Sequence, residues 1–127
     1  MDTVRVAALV GSLRETSYTR VACEHVLAAA DAYDHVETDL IDLQALDLPP
    51  YNHDHDAPGD SADLLARVER ADAVVLGTPN YHASYSGVLK NALDYCGFDE
   101  FDETTVGLLT VAGGGYSSSP LDHLRIV

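Results

Sequence analysis

The chain has 127 residues, 46% of them hydrophobic, enough for one domain around a single core and too few for two. It carries 21 acidic against 7 basic residues, and a net charge of −14 argues against nucleic acid or an anionic membrane as partner. No apolar run is long enough to cross a bilayer, and the N-terminus lacks a basic segment followed by an apolar stretch, so a soluble, cytoplasmic protein is expected.

Val4-Arg5-Val6-Ala7-Ala8-Leu9-Val10 is short, β-branched and almost continuously apolar, as a strand buried on both faces should be. A hydroxyl-rich turn, Gly11 to Thr19, leads into a first helix from Tyr18 to Ala32, in which Val21, Ala22, Val26, Leu27 and Ala30 recur at helical spacing. Val36 to Leu43 partly alternates apolar and acidic positions, which suits an edge strand. Residues 44–60 contain Pro49, Pro50, Pro58 and Gly59 and are irregular over much of their length. Ser61 to Arg70 reads as a second helix capped by Asp60 or Ser61, and Ala73 to Gly77 as a third strand. The loop Thr78 to Tyr85 precedes a third helix, Ser86 to Tyr95, that stops at Gly97. Thr105 to Val111 is a fourth strand, Ala112 to Ser119 a glycine–serine loop, and Pro120 to Val127 the first turns of a fourth helix. Cys23 and Cys96 fall in predicted helices, match no C-x-x-C pattern and read as small core residues.

Strand and helix thus alternate four times, which calls for a single α/β domain over residues 1–127 with a doubly wound parallel sheet; its expected strand order is 2-1-3-4. The sequence stops in mid-helix where a further strand should follow, leaving strand four as an apolar edge. Either a C-terminally truncated form of a longer protein or a partner subunit covering that edge fits the pattern.

In such open sheets ligands bind beyond the carboxyl ends of the strands where the strand order reverses, here between strands one and three. Three loops converge on that place. The first offers unpaired N–H groups at a helix N-terminus, hydroxyls, and the forked donor of Arg14, an anion site. Gly11 is its only glycine, so it is neither G-x-G-x-x-G nor G-x-x-x-x-G-K-[ST], and a single terminal monophosphate suits it best. Taken alone, the same residues allow Ser17 merely to cap its helix, Arg14 to lie in solvent and Tyr18 to be a core residue. The second loop carries Pro79, Asn80, Tyr81 and His82, which could flank a flat ring. The third, with Gly113, Gly114 and Gly115, either lets backbone approach a ligand or is simply flexible. Asn52-His53-Asp54-His55-Asp56 has metal-ligating residue types, but its proline-rich, polar setting reads as a solvated loop.

Gly11-Ser12-Leu13-Arg14-Glu15-Thr16-Ser17 follows a G-S-x-R-x-x-S pattern, and residues 78–94, TPNYHASYSGVLKNALD, follow T-P-x-Y-x-x-S-x-x-G-x-L-K-N-x-(L/I)-D. With Ala112 to Gly115 and Leu124-Arg125, the chain resembles the NADPH-dependent FMN reductase family, the flavodoxin-like quinone, chromate and azo reductases. The resemblance implies that Gly11, Ser12, Arg14, Ser17, Tyr18 and Thr19 hold the FMN phosphate. It implies that Pro79, Asn80, Tyr81, His82 and Ser84 contact the flavin ring, and that Gly113, Gly114 and Gly115 cover its edge. Lys90 and Asn91 are read as structural, Lys90 pairing with Asp94 at i,i+4. The implied activity passes electrons from NADPH or NADH through FMN to a small-molecule acceptor: a quinone, azo compound, metal ion or free flavin. Because the cofactor carries this chemistry, no catalytic side chain and no metal are expected. A homodimer or homotetramer is implied too. The competing expectations are a flavodoxin-like FMN-binding electron carrier without NAD(P)H activity, and a flavin-free structural remnant.

The acids are interspersed with a normal apolar pattern, and Lys90 is the only lysine. Acidic, lysine-poor surfaces suit a halophilic cytosol, where molar salt shortens the Debye length to about 3 Å and removes self-repulsion. The melting temperature should therefore rise between dilute buffer and molar potassium chloride; a salt-insensitive melt contradicts the halophilic reading.

Overall fold

Four seven-residue runs form the strands of one parallel sheet: β1 (Val4–Val10), β2 (Val36–Asp42), β3 (Ala73–Pro79) and β4 (Thr105–Val111). This computed structural model describes residues 2–115 and 118–127. Its sheet order is β2-β1-β3-β4, the expected 2-1-3-4 order. The helices are α1 (Tyr18–Asp31), α2 (Ser61–Glu69), α3 (Gly87–Tyr95), the single turn α4 (Phe98–Phe101) and α5 (Ser119–Ile126).

Alternation along each strand divides the core into two layers. Ala8 and Val10 face α1, where they pack with Cys23 and Leu27. Ala7 and Leu9 face the other way, into a larger cluster with Ile41, Leu64, Val68, Val74, Leu76, Leu89, Ala92 and Leu124. The strands at the centre are covered on both sides, which is why their sequences are continuously apolar. At the edge, the Arg67 guanidinium grips Asp39 at 2.6 and 2.9 Å and ties α2 to β2. The same pairing holds the Asp39 carboxyl below the usual carboxylate range.

Several boundaries differ from the sequence-based expectation. β3 runs past Gly77 to include Thr78 and Pro79, because these continue the pairing with Thr110 and Val111 of β4. Ser86 lies outside α3 as its N-cap, with extended backbone and a hydroxyl that accepts from the Leu89 N–H at 3.1 Å. α4 was not foreseen, and Cys96 lies just beyond α3 rather than within it. At α2 the Asp60 carboxylate does not cap the helix; it accepts the Asp47 N–H at 2.7 Å and so closes the irregular segment 47–60. Asn91 has the structural part expected of it. Its side chain accepts from the Tyr51 N–H at 2.8 Å and donates to the Pro49 carbonyl at 3.2 Å, pinning that segment to α3. Lys90 pairs with Asp94 as expected. His53, Asp54, His55 and Asp56 are exposed, and no group of three or more His, Cys, Asp or Glu among the described residues is placed to hold a metal ion.

Gly77 sets the distance between α1 and the sheet. A Cβ there would lie 2.5 Å from Cys23 Sγ, 3.2 Å from the Thr19 methyl carbon and 3.3 Å from the Leu9 carbonyl oxygen. Gly77→Ala should therefore destabilise the fold by about 1–3 kcal/mol, the usual range for overpacking. The same substitution made in a Cys23→Ala background should cost less, since the closest obstruction is gone. Urea denaturation of the parent and the three variants checks this, and equal costs in the two backgrounds would contradict it.

Candidate functional site

The carboxyl ends of β1, β3 and β4 are stitched together by backbone. The Gly11 N–H donates to the Gly77 carbonyl at 2.8 Å, and the Asn80 N–H donates to the Val111 carbonyl at 3.1 Å. The buried Ser86 hydroxyl donates to the Gly11 carbonyl at 2.7 Å, and the Ser86 N–H donates to Thr78 Oγ1 at 2.9 Å. A Cβ on Gly11 would sit 2.7 Å from the Gly77 carbonyl oxygen and 2.8 Å from Leu89 Cβ, so only glycine fits where the first loop leaves the sheet.

Beyond this junction a cleft of about 300 Å³ opens between the first and second loops. Its walls include Gly11, Ser12, Leu13 and Arg14 on one side and Tyr81, Ser86, Gly87 and Val88 on the other. The first and second predicted site stretches are thus brought together. Ser12 and Ser17 are buried, with Ser12 Oγ accepting from the Arg14 N–H at 3.3 Å and Ser17 Oγ from the Arg20 N–H at 3.1 Å. The Ser17 hydroxyl therefore caps α1, as the plainer reading of it required. Arg14 is exposed, and its guanidinium has no hydrogen bond or ion pair among the described residues. The amides of Glu15, Thr16 and Ser17 likewise donate to nothing among the described residues. These free donors lie immediately before the N-terminus of α1, whose dipole adds positive potential.

The remaining predicted residues are more scattered. Tyr18 is 68% exposed, which rules out a core role, whereas Thr19 is buried against Gly77. Pro79 ends β3, and Asn80 is tied to β4. His82 and Ala83 have φ of 52° and 63° at the tip of a tight turn closed by reciprocal Tyr81–Ser84 backbone bonds of 3.0 and 3.1 Å. Gly113, Gly114 and Gly115 are exposed after β4, and a Cβ on any of them would meet nothing within 4 Å.

Two residues that organise the site were missed. Ser86 is one; a serine just before Gly-x-apolar at a helix start is a capping signal, and placing it inside the helix hid that. Arg20 is the other. Its guanidinium holds the Glu15 carbonyl, reaches Asp42 Oδ2 and Gln44 Oε1 at 3.3 Å each, and pairs with Glu24 at 3.8 Å. It braces the first loop against β2, a long-range role that local spacing does not reveal.

A larger cavity, about 870 Å³, lies elsewhere, between α3, α4, the outer edge of β4 and α5. Its walls are largely apolar, and its cations are already engaged, Lys90 with Asp94 and Arg125 with Asp122. Burial raises the Cys96 thiol in its wall to about 12 and Cys23 beneath α1 to about 11, so neither is a thiolate near neutral pH. Size favours that cavity; the unpaired Arg14 guanidinium lies in the wall of the smaller cleft, and a free donor matters more than volume for an anionic ligand.

The sequence profile described as NADPH-dependent FMN reductase matches residues 4–127. The chain belongs to this family. The FMN-dependent NADPH-azoreductase of Staphylococcus haemolyticus is 38% identical over 125 residues, which cover 94% of this chain and 66% of that protein. The chain therefore spans just under two thirds of the length of the curated relatives it matches. Among solved structures, the apo form of the NADH:FMN oxidoreductase EMOB superposes with a TM-score of 0.87 at 26% identity, covering 98% of this chain and 67% of that one. FerB of Paracoccus denitrificans, a flavoenzyme NAD(P)H:(acceptor) oxidoreductase, gives 0.82 at 30% identity, covering 98% and 70%. The fold is accordingly the flavodoxin-like one implied by the sequence motifs.

Proposed function

We propose that this family member binds FMN at the 300 Å³ cleft and passes electrons from NADPH or NADH to a small-molecule acceptor, whether a quinone, an azo compound, a metal ion or free flavin. One observation carries the reading: the Arg14 guanidinium, without a partner among the described residues, lines the same cleft as Tyr81, and three amides that likewise donate to nothing among those residues follow it in the chain up to the N-terminus of α1. That donor set fits a phosphate monoester dianion, which accepts several charge-assisted hydrogen bonds at once. The chain's net charge of −14 opposes any anion, so a local cluster of donors is needed to hold one.

When bound, FMN supplies the redox chemistry, taking two electrons from NAD(P)H and releasing them to the acceptor. This chain's residues bind and orient. Arg14, Ser12, Ser17 and the amides of the first loop hold the phosphate end, with Gly11, Tyr18 and Thr19 shaping the turn around it. Pro79, Asn80, Tyr81, His82 and Ser84 border the ring, and Gly113, Gly114 and Gly115 flank its far edge. No helix among the described residues is long and apolar enough to cross a membrane. The same reading puts the protein in the cytoplasm, where its reductant is plentiful, as a homodimer or homotetramer. The exposed side chain of Val106 on the outermost strand supports the association.

The protein should be yellow, or turn yellow with added FMN, and anaerobic mixing with NADPH or NADH should bleach it. A yellow protein that neither nucleotide bleaches would instead be an electron carrier, and one that stays colourless would not be a flavoprotein. Arg14→Ala should weaken FMN binding by about tenfold or more, since a charge-assisted bond contributes roughly 1.5–3 kcal/mol. Because Arg14 has no other partner, the melting temperature should not move. Ser17→Ala should weaken binding too, but it also removes the α1 cap and costs about 1 kcal/mol of stability. Unchanged FMN affinity in Arg14→Ala would refute the phosphate assignment.

A further inference from the structure

We propose that His123 of α5 is a positioning residue for the 81–84 turn, acting through Ser84, and that it thereby fixes how Tyr81 faces the cleft. The turn is a two-residue hairpin with positive φ at both central positions, His82 at 52° and Ala83 at 63°. That geometry ordinarily recruits Asn-Gly, because a Cβ is disfavoured there. Neither residue is glycine, so contacts from outside the turn must hold it.

α5 provides them. Ser84 Oγ and His123 Nδ1 are 2.8 Å apart, a hydrogen bond spanning 39 residues of sequence. The ring of Tyr85, the next residue, meets the His123 ring edge to face at 6.5 Å and 83°. His123 is itself held firmly, since its neighbour Leu124 and the helix-starting Pro120 are both buried. Ser84 in turn holds Tyr81 through the reciprocal backbone bonds, and Tyr81 lines the cleft opposite Arg14. A chain of contacts thus runs from α5 to the cleft wall. The Ser84–His123 bond is exposed, so water competes for it and its contribution to global stability is small. Its effect is on orientation.

The part of this proposal that concerns the ligand rests on FMN occupying the cleft, so the test has one arm without flavin. His123→Ala, His123→Asn and His123→Phe are compared with the parent chain. Asparagine can place a polar atom near the Nδ1 position, while phenylalanine keeps a ring against Tyr85 without one. In the flavin-free protein, amide hydrogen exchange at Tyr81 and Ser84 should rise about three- to tenfold in the Ala and Phe variants, as expected for one lost hydrogen bond. It should return near the parent rate in Asn, with Leu89 in α3 and the melting temperature unchanged throughout. FMN affinity should fall severalfold in Ala and Phe and recover in Asn. Unchanged exchange in His123→Ala, or no recovery in Asn, overturns the proposal, as does altered exchange with unaltered FMN affinity. If the parent chain itself fails to bind FMN, the proposed function falls, and the exchange arm alone decides whether His123 positions the turn.

Discussion

Everything at the carboxyl end of the sheet depends on how closely β1 and β3 approach one another and the helices above and below them. Gly11 and Gly77 make that approach possible, one amide-to-carbonyl bond of 2.8 Å joining them, with no room for a Cβ on either. Gly77 lets α1 settle onto one face, with Cys23 and Thr19 in the space a side chain would take. Gly11 lets α3 settle onto the other, with Leu89 Cβ 2.8 Å and Ser86 Oγ 3.1 Å from where a Cβ would lie. The N-termini of two helices are thereby drawn to one junction. Ser86 secures the junction by a single hydroxyl that caps α3 and holds the Gly11 carbonyl.

This arrangement concentrates positive potential on a strongly acidic molecule. Few basic residues are available, and most are engaged: Arg67 with Asp39, Arg20 with Asp42, Lys90 with Asp94 and Arg125 with Asp122. Arg14 has no such partner among the described residues. The net negative charge opposes an anion everywhere else on the surface, so an unpaired cation next to a helix N-terminus is where a dianion meets the least opposition.

Much of this was legible in the sequence because it is local. Continuous apolar runs marked the central strands, and their alternation with helical spacing called for a parallel sheet covered by helices on both faces. What was not legible is what depends on distant partners. β3 extends through Pro79 because β4 pairs with it, a fact absent from the local pattern that reads Thr78-Pro79 as a loop. Arg20 looks like a surface helix residue until β2 supplies Asp42. Asp60 looks like a cap until Asp47 claims its carboxylate. The positive φ at His82 and Ala83 leaves only a weak trace in the sequence: histidine is enriched there among non-glycine residues, but alanine is not, and the pair is not the Asn-Gly that marks such a turn.

The central claim is that the first loop recognises a phosphate, and comparing FMN with riboflavin isolates it, since the two share the ring and differ in that group. Titration of the flavin-free chain, followed by quenching of flavin fluorescence, should give FMN an affinity at least about tenfold above that of riboflavin, the advantage of a charge-assisted bond or more. Equal affinities for the two would contradict the account.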